Sequence, residues 1–448
     1  MKQQPGTEVL RPKVRKRYGA AVPHYKNTEN RKSTVMSPPE TVTLLMQQHI
    51  GPACKTTVKP GDAVKVGEVV GDSDAYITAP IHASVSGTVK AIKQVMLPSG
   101  QMSEAVVIES DGKMEPFEGL RPPQAASREE LAKAARDCGL VGLGGAGFPM
   151  HVKLTPPEGA KIDTLIINAA ECEPFITSDH REILENADNI MYGVFRLLTL
   201  LNVPRVIIAV EDNKPDAIEL LCKIANDSRD IDNRVRVMEL KSRYPQGAEK
   251  VLIQSVTGRE VPPGKLPSDV GCIVMNVTSV GKLADYLQTG MPLVSKRLTV
   301  DGSAVGNPQN VIVPLGTAVK DVIEFCGGYR RKPKKLLMGG PMMGLALTDD
   351  EMPVLKQNNA ILALAKPDAL LPEEEPCIRC GRCVRACPMS LMPTVLERYA
   401  RAGDAEGLKA YGITSCMECG SCAYVCPAHR NLVQQMRLGK AQLRKAGK

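Results

Sequence analysis

The chain contains no tryptophan, and only five phenylalanines and ten tyrosines among 448 residues. Proteins that hold single-stranded nucleic acid stack its bases on aromatic faces, so this scarcity speaks against such a platform, and no nucleic-acid partner is expected. Long apolar runs are missing as well. The longest, such as 205–210 and 360–365, fall far short of the ~20 residues of a membrane helix. The basic N terminus lacks the apolar stretch of a secretion signal. These absences predict a soluble or peripheral chain that stays in the cytoplasm. There thiols remain reduced, so the fourteen cysteines point to metal rather than to disulfides.

Charge is unevenly placed. Residues 1–32 hold nine Lys/Arg against Glu8 and Glu29, and residues 430–448 hold six with no acid, whereas the whole chain carries +8. The body between is therefore slightly acidic. The two basic ends read as solvated tails, or as contacts to anionic lipid or an acidic partner.

The pattern along the chain predicts a multi-domain α/β protein. Residues 1–32 read as an irregular basic arm. Residues 33–118 are rich in β-branched residues and turns; "TTVKPGDAVKVGEVVGD" alternates as a hairpin does, which suggests a small β-barrel or sandwich. A Pro-rich stretch at 119–128 opens the next unit, which runs to 290. In it a short helix at 129–137 and a Gly-rich turn precede alternating strands and helices ("TLIINAA", 180–201, "PRVIIAV", 215–226), an α/β sheet. Residues 291–365 return to short β runs. Residues 366–448 hold an acidic linker, a cysteine region and a basic helical tail.

The cysteine region carries the clearest chemistry. Cys377, Cys380, Cys383 and Cys387 precede Pro388; Cys416, Cys419, Cys422 and Cys426 precede Pro427. Both sets read C-x-x-C-x-x-C-x-x-x-C-P. In two-cluster ferredoxins the Cys before Pro serves the other cluster. This assigns Cys377, Cys380, Cys383 and Cys426 to one 4Fe–4S cluster, and Cys416, Cys419, Cys422 and Cys387 to the other. Zinc sites, built from paired C-x-x-C or Cys/His sets, fit a duplicated run poorly. The remaining cysteines (54, 138, 172, 222, 272, 326) are isolated and read as small buried apolar residues, with Cys172 set apart by its acidic neighbours.

A second constellation lies upstream. Gly142, Gly144, Gly145 and Gly147 form a loop in which the backbone can approach a flat or phosphorylated ligand. A helix precedes it, so it is not the strict dinucleotide fingerprint, which follows a strand. Lys153 comes next, then a strand ending in Asn168, Glu171 and Glu173, the end at which open α/β sheets bind ligands.

"GLGGAGFPMHVKL" followed by "LIINAAECEP" resembles the FMN- and NADH-binding core of the flavoprotein subunit of respiratory NADH dehydrogenase. "RYPQGAEK" (243–250) and "MNVTSVG" (275–281) resemble the other stretches of that site. The domain order resembles the C-subunit family of the Rnf electron-transport complex over residues 20–445. The resemblance implies a barrel-sandwich (biotinyl/lipoyl-like) module at 33–118, without a lysine at its 73–77 tip. It implies a Rossmann-like FMN/NADH domain to residue 290, a soluble-ligand-binding β-grasp domain to 365, and an α-helical two-cluster ferredoxin domain. Gly144, Gly145, Gly147, Lys153, Asn168 and Asn276 would bind FMN; Gly142 of the loop and Glu171 of the acidic strand end are taken with them as cofactor-binding residues. Phe148, Glu173 and Glu249 would contact or position the nicotinamide, with Glu173 and Glu249 nearest the reaction. Two motifs depart: Ala170 stands where the respiratory subunit has Asp, and the N-terminal Gly-Gly-x-His-Pro-Pro appears as Gly19-Ala-Ala-Val-Pro23-His24.

The implied activity is that of a peripheral subunit on the cytoplasmic face of the cell membrane. It would pass electrons between NAD(H), FMN and two 4Fe–4S clusters, with other Rnf-type subunits and, indirectly, ferredoxin as partners. A cobalamin reductase of bacterial microcompartments shares the loop and the two-cluster region with its modules rearranged. A flavin-free iron–sulfur relay is the other alternative, favoured by Ala170.

Overall fold

The computed structural model describes residues 9–12, 18–227, 234–366 and 368–446. After a short β1 (Thr34–Val35), seven strands build the first unit: β2 (Thr41–Leu45), β3 (Lys55–Thr56), β4 (Ala63–Val64), β5 (Val69–Asp72), β6 (Ile81–His82), β7 (Gly87–Met96) and β8 (Met102–Ser110). They form two sheets, ordered β2-β8-β7-β4 and β3-β5-β6. Alternation sets the inner face, as with Val42 and Leu44 of β2, both fully buried. The simple hairpin expected over 56–72 is more elaborate. β3 pairs with β5 across the turn, while β4 between them crosses to pair with β7.

Residues 119–127 carry no helix or strand, and α1 (Arg128–Asp137) follows. Its start is written in the sequence: Ser127 Oγ accepts from Glu130 N, and the Glu130 carboxylate accepts from Ser127 N, a capping box. The Gly-rich loop joins α1 to the short α2 (Met150–Leu154). Then come β9 (Thr164–Ala169), α3 (Ser178–Leu200), β10 (Arg205–Glu211), α4 (Pro215–Asp227), β11 (Val235–Leu240), α5 (Glu249–Thr257), β12 (Cys272–Asn276) and α6 (Val277–Thr289). The four strands form one parallel sheet ordered β11-β10-β9-β12. Their near-continuous apolar composition reflects burial on both faces.

The third unit comprises β13 (Ser295–Asp301), β14 (Gln309–Pro314), α7 (Val319–Phe325), β15 (Lys335–Met338), β16 (Leu345–Leu347) and β17 (Ala360–Leu364). Its six-stranded sheet runs β1-β14-β13-β17-β15-β16. Residues 34–35, expected to open the barrel module, thus form the edge of this distant sheet, Thr34 beside Val311 and Val35 beside Ile312.

The last unit is helical: α8 (Arg382–Ala386), α9 (Pro393–Ala402), α10 (Ala405–Ala410), α11 (Ser421–Tyr424) and α12 (Leu432–Ala446). The insert between the two cysteine sets folds as α9 and α10. It closes with α12 over Leu396, Ala400, Leu408, Ile413 and Met436. Among the described residues, no helix is long and apolar enough to cross a membrane.

The N-terminal arm is not a free tail where it is described. Leu10 bridges to Met238 beside β11, and Ala20 to Tyr244. Gly19 N donates to Ala386 O in the cysteine unit. Arg31 reaches Asn307 and Pro308 of the third unit. A count of charges treats these cations as solvated, whereas their acceptors lie hundreds of residues away in the chain. Much of the basic stretch of the arm, including residues 13–17, lies outside the described residues.

Candidate functional site

In the parallel sheet β10 and β11 extend from one side of β9, and β12 lies on the other. The strand order therefore reverses between β9 and β12, and the C-terminal ends of two such strands are where α/β sheets take ligands in a crevice. Asn168 and Asn276 end these strands in register with each other. Asn168 Nδ2 donates to Gly247 O at 2.8 Å, and its Oδ1 accepts from Ala170 N at 3.1 Å. Asn276 caps α6 by accepting from Ser279 N, and donates to Asp179 Oδ2 at 2.7 Å.

The Gly-rich loop packs against this crevice. A Cβ on Gly144 would stand 2.6 Å from Asn276 Nδ2, so any side chain there displaces Asn276; Gly145 beside it has nothing within 4 Å and presents bare backbone. Gly147 has φ +68°, the left-handed region that suits glycine. Gly142 N donates to Phe148 O and closes the loop. Two buried side chains hold it: Ser279 Oγ accepts from Leu143 N at 3.0 Å, and Lys296 Nζ of β13 donates to Leu143 O at 2.8 Å. Burial holds the Asp179 carboxyl up at about 6, with Glu171 close by adding to the shift. Burial likewise lowers Lys296 to about 8, opposed by Asp179 and Glu182.

The acidic strand end divides its work. Glu171 is buried, and its carboxylate accepts from the backbone N–H groups of Asp179 and His180 and from Ser178 Oγ. It therefore caps α3. Glu173 sits instead in a turn of the third unit, accepting from Met342 N (3.1 Å) and Met343 N (2.9 Å). Burial raises its carboxyl to about 7, and the two N–H donors oppose that rise. A Cβ on Gly340 would collide with this carboxylate, so the turn has room for it only as Gly. Lys153 and Glu249 meet in an ion pair of 2.6 Å, and Lys153 also donates to Val274 O of β12.

The cysteines fall into two groups. Cys387, Cys416, Cys419 and Cys422 line one cavity, with Pro388, Leu391 and Met436 among its walls. Burial, with Cys419 and Cys387 close by, pushes the Cys416 thiol up to about 11. Cys383 is likewise raised, by burial first, with Cys426 and Cys377 nearby. Thiols so crowded cannot ionise together unless a cation neutralises them, which is the condition of a cluster ligand. Backbone N–H groups of Arg379, Leu391 and Glu418 point at the sulfurs of Cys377, Cys387 and Cys416, as donors around iron–sulfur clusters do. The backbone repeats with the sequence: Arg379 and Glu418, Gly381 and Gly420, and Ser390 and His429 all take positive φ.

The cavity is tied to the parallel-sheet unit through the loop after β11. Tyr244 is buried and donates from its hydroxyl to Cys419 O at 2.6 Å. A small cluster of Ala20, Val22, Tyr244 and Cys419 packs with Cys172 and Met342. Cys172, singled out in the sequence, lies here and accepts from Gly247 N; the other isolated cysteines are buried or half-buried. Cys377 and Cys380 are exposed on the outer side.

Sequence reasoning missed Lys26, Asp179, Tyr244 and Lys296. Tyr244 lies within the "RYPQGAEK" motif, and Asp179 stands in the first turn of the helix after "LIINAAECEP". Lys26 and Lys296 carry no local signal, because their acceptors come from remote segments.

Four family models match the chain: the RnfC barrel sandwich hybrid domain at 14–113, the Nuo51 FMN-binding domain at 135–285, the SLBB domain at 297–346 and the 4Fe–4S dicluster domain at 376–430. Over 94% of its length the chain is 43% identical to the C subunit of the proton-translocating ferredoxin:NAD(+) oxidoreductase complex of Clostridium ljungdahlii, covering 92% of that protein. It is 41% identical to the Na(+)-translocating counterpart of Acetobacterium woodii, over 90% of this chain and 91% of that one. It is 37% identical to the C subunit of the ion-translocating oxidoreductase complex of Rhodobacter capsulatus, over 91% and 79%. Among solved structures, an NAD+-reducing NiFe hydrogenase in the H2-reduced state shares the fold at TM-score 0.50 and 18% identity, over 71% of this chain and 63% of that one.

Proposed function

The chain belongs to the C-subunit family of ion-translocating ferredoxin:NAD(+) oxidoreductase complexes, and on that premise we propose that it is the complex's nicotinamide-facing electron-transfer subunit. It is an oxidoreductase subunit that works with FMN, NAD(H) and two 4Fe–4S clusters. Its partners are the other subunits of that complex and, through them, ferredoxin. We place it on the cytoplasmic face of the membrane, held there by those subunits. Its working units are taken as 33–118, 119–290, 291–365 and 366–448, with the arm before them.

The observation that carries this reading is the junction at Tyr244, whose hydroxyl ties the loop after β11 to Cys419 of the four-cysteine cavity. Bound FMN supplies the exchange between two-electron hydride chemistry and single-electron transfer. The chain's residues do the rest. Gly145 leaves room for the ring system, Gly144 lets the loop close on Asn276, Lys153 supplies a cation at the loop's side, and Asn168 and Asn276 fix the floor of the crevice. Glu173 and Glu249 lie at its mouth, where a dinucleotide would be oriented; Glu171 supports them from beneath by capping α3. Cys387, Cys416, Cys419 and Cys422 hold the cluster nearer the crevice. Cys377, Cys380, Cys383 and Cys426 hold the outer one, whose exposed side faces the partner.

Replacement of Glu173 by Ala tests the nicotinamide assignment. NADH-dependent reduction of an artificial acceptor should fall while iron content stays at the wild-type level. Wild-type activity in the variant would remove Glu173 from the site.

A further inference from the structure

Lys26 lies on the N-terminal arm, far in sequence from the crevice. Its Nζ donates to three backbone carbonyls, of Glu171 (2.8 Å), Glu173 (2.9 Å) and Ile176 (2.5 Å). An ammonium has three N–H donors, so all are used. The three carbonyls belong to one turn that leaves β9 and enters α3, and without a cation their oxygens would converge on a site with no donor. Within that turn Phe175 takes φ +69°, a region that bulky residues rarely adopt, and Tyr25 of the arm takes φ +48°. The two rings stack at 5.0 Å, and Phe175 N donates to His24 O. Such backbone persists only where the surroundings impose it.

The arm itself is anchored at both sides of Lys26. Before it, Ala20 bridges to Tyr244 and Gly19 donates to Ala386 O. After it, Thr28 Oγ1 meets Thr177 Oγ1, and Asn310 Nδ2 donates to Thr28 O. A buried lysine is costly to keep charged, and burial does lower it, opposed by Glu171. That cost is accepted for a turn that bears Glu173.

We propose that Lys26 is a positioning residue for the dinucleotide: the arm carries its ammonium under the 171–176 turn and thereby sets where Glu173 stands at the crevice mouth. The inference rests on the reading that Glu173 faces the nicotinamide. The arm then belongs to the site, as a strap across it.

Steady-state NADH oxidation with a one-electron artificial acceptor tests this on the full chain. Lys26→Met should raise KM for NADH on the order of tenfold, the size expected for loss of hydrogen bonds from a charged donor. The kcat at saturating NADH, bound flavin and iron should stay near wild type. Lys26→Gln keeps donors without charge; it should raise KM less, and it decides the matter if the Met variant does not fold. Arg31→Ala loosens the arm without touching the turn and should leave KM unchanged. An unchanged KM in the Lys26 variants, or an equal rise in Arg31→Ala, would overturn the proposal. If Glu173→Ala also leaves KM unchanged, the underlying reading has failed instead.

Discussion

Two adjacent glycines offer a sharp contrast. A methyl group on Gly144 would collide with Asn276 Nδ2 at 2.6 Å, and a methyl on Gly145 would meet nothing within 4 Å. Gly145 does not have positive φ, so alanine is compatible with its backbone. To admit a methyl on Gly144, Asn276 must move, which loosens its bond to the Asp179 carboxylate and its cap on α6. A bond to a charged partner contributes about 1.5–3 kcal/mol and a cap about 1 kcal/mol. Gly144→Ala should therefore cost roughly 3 kcal/mol, a fall of about 6–12 °C in the midpoint of a domain of this size, and lose flavin as well. Gly145→Ala should change stability by less than about 1 kcal/mol, yet its methyl would stand where the flavin lies against the loop. Thermal unfolding, followed alongside flavin released by acid, separates the two. The expected result is a stable Gly145→Ala protein with wild-type iron and little flavin. Full flavin content in that variant would refute the assignment of the loop as the flavin cradle.

Two further outcomes concern the outlet. Cys387→Ala should abolish the cluster held by Cys416, Cys419 and Cys422 and spare the one next to its own sequence neighbours, which the magnetic-resonance signals of the reduced variant report; loss of the other cluster would reverse the crossed assignment. Tyr244→Phe removes the donor to Cys419 O and leaves a buried carbonyl unpaired, at about 1–3 kcal/mol. In rapid mixing with NADH, cluster bleaching should slow relative to flavin bleaching, and an unchanged ratio would show that this contact does not set the junction.

Much of this arrangement was legible. The two C-x-x-C-x-x-C-x-x-x-C-P runs carry their own spacing, and the apolar runs at 164–170 and 204–210, alternating with helices, declare an α/β sheet. Those signals are local: a thiolate interval, a hydrophobic run, a glycine. What escaped was built across distance. β1 has two residues, too short for any pattern, and its pairing with β14 is decided by the partner's free edge. Lys296 sits within an ordinary β run, and only the folded chain brings it to Leu143 O. Lys26 of the arm looked solvated because its acceptors are backbone carbonyls, which composition does not register. Glu171 and Glu173 stand two residues apart with similar flanks, and the structure alone shows that one caps α3 while the other enters the Gly340–Met343 turn.

The central claim is that a flavin site and two clusters share this one chain and exchange electrons. The direct measurement is to purify the chain without oxygen, assay acid-released FMN and iron, and then add NADH while recording the visible spectrum. The expected result is FMN together with two clusters' worth of iron, and bleaching of the flavin by NADH followed by reduction of the clusters. Full iron with no flavin after reconstitution, or flavin that NADH does not bleach, would contradict it.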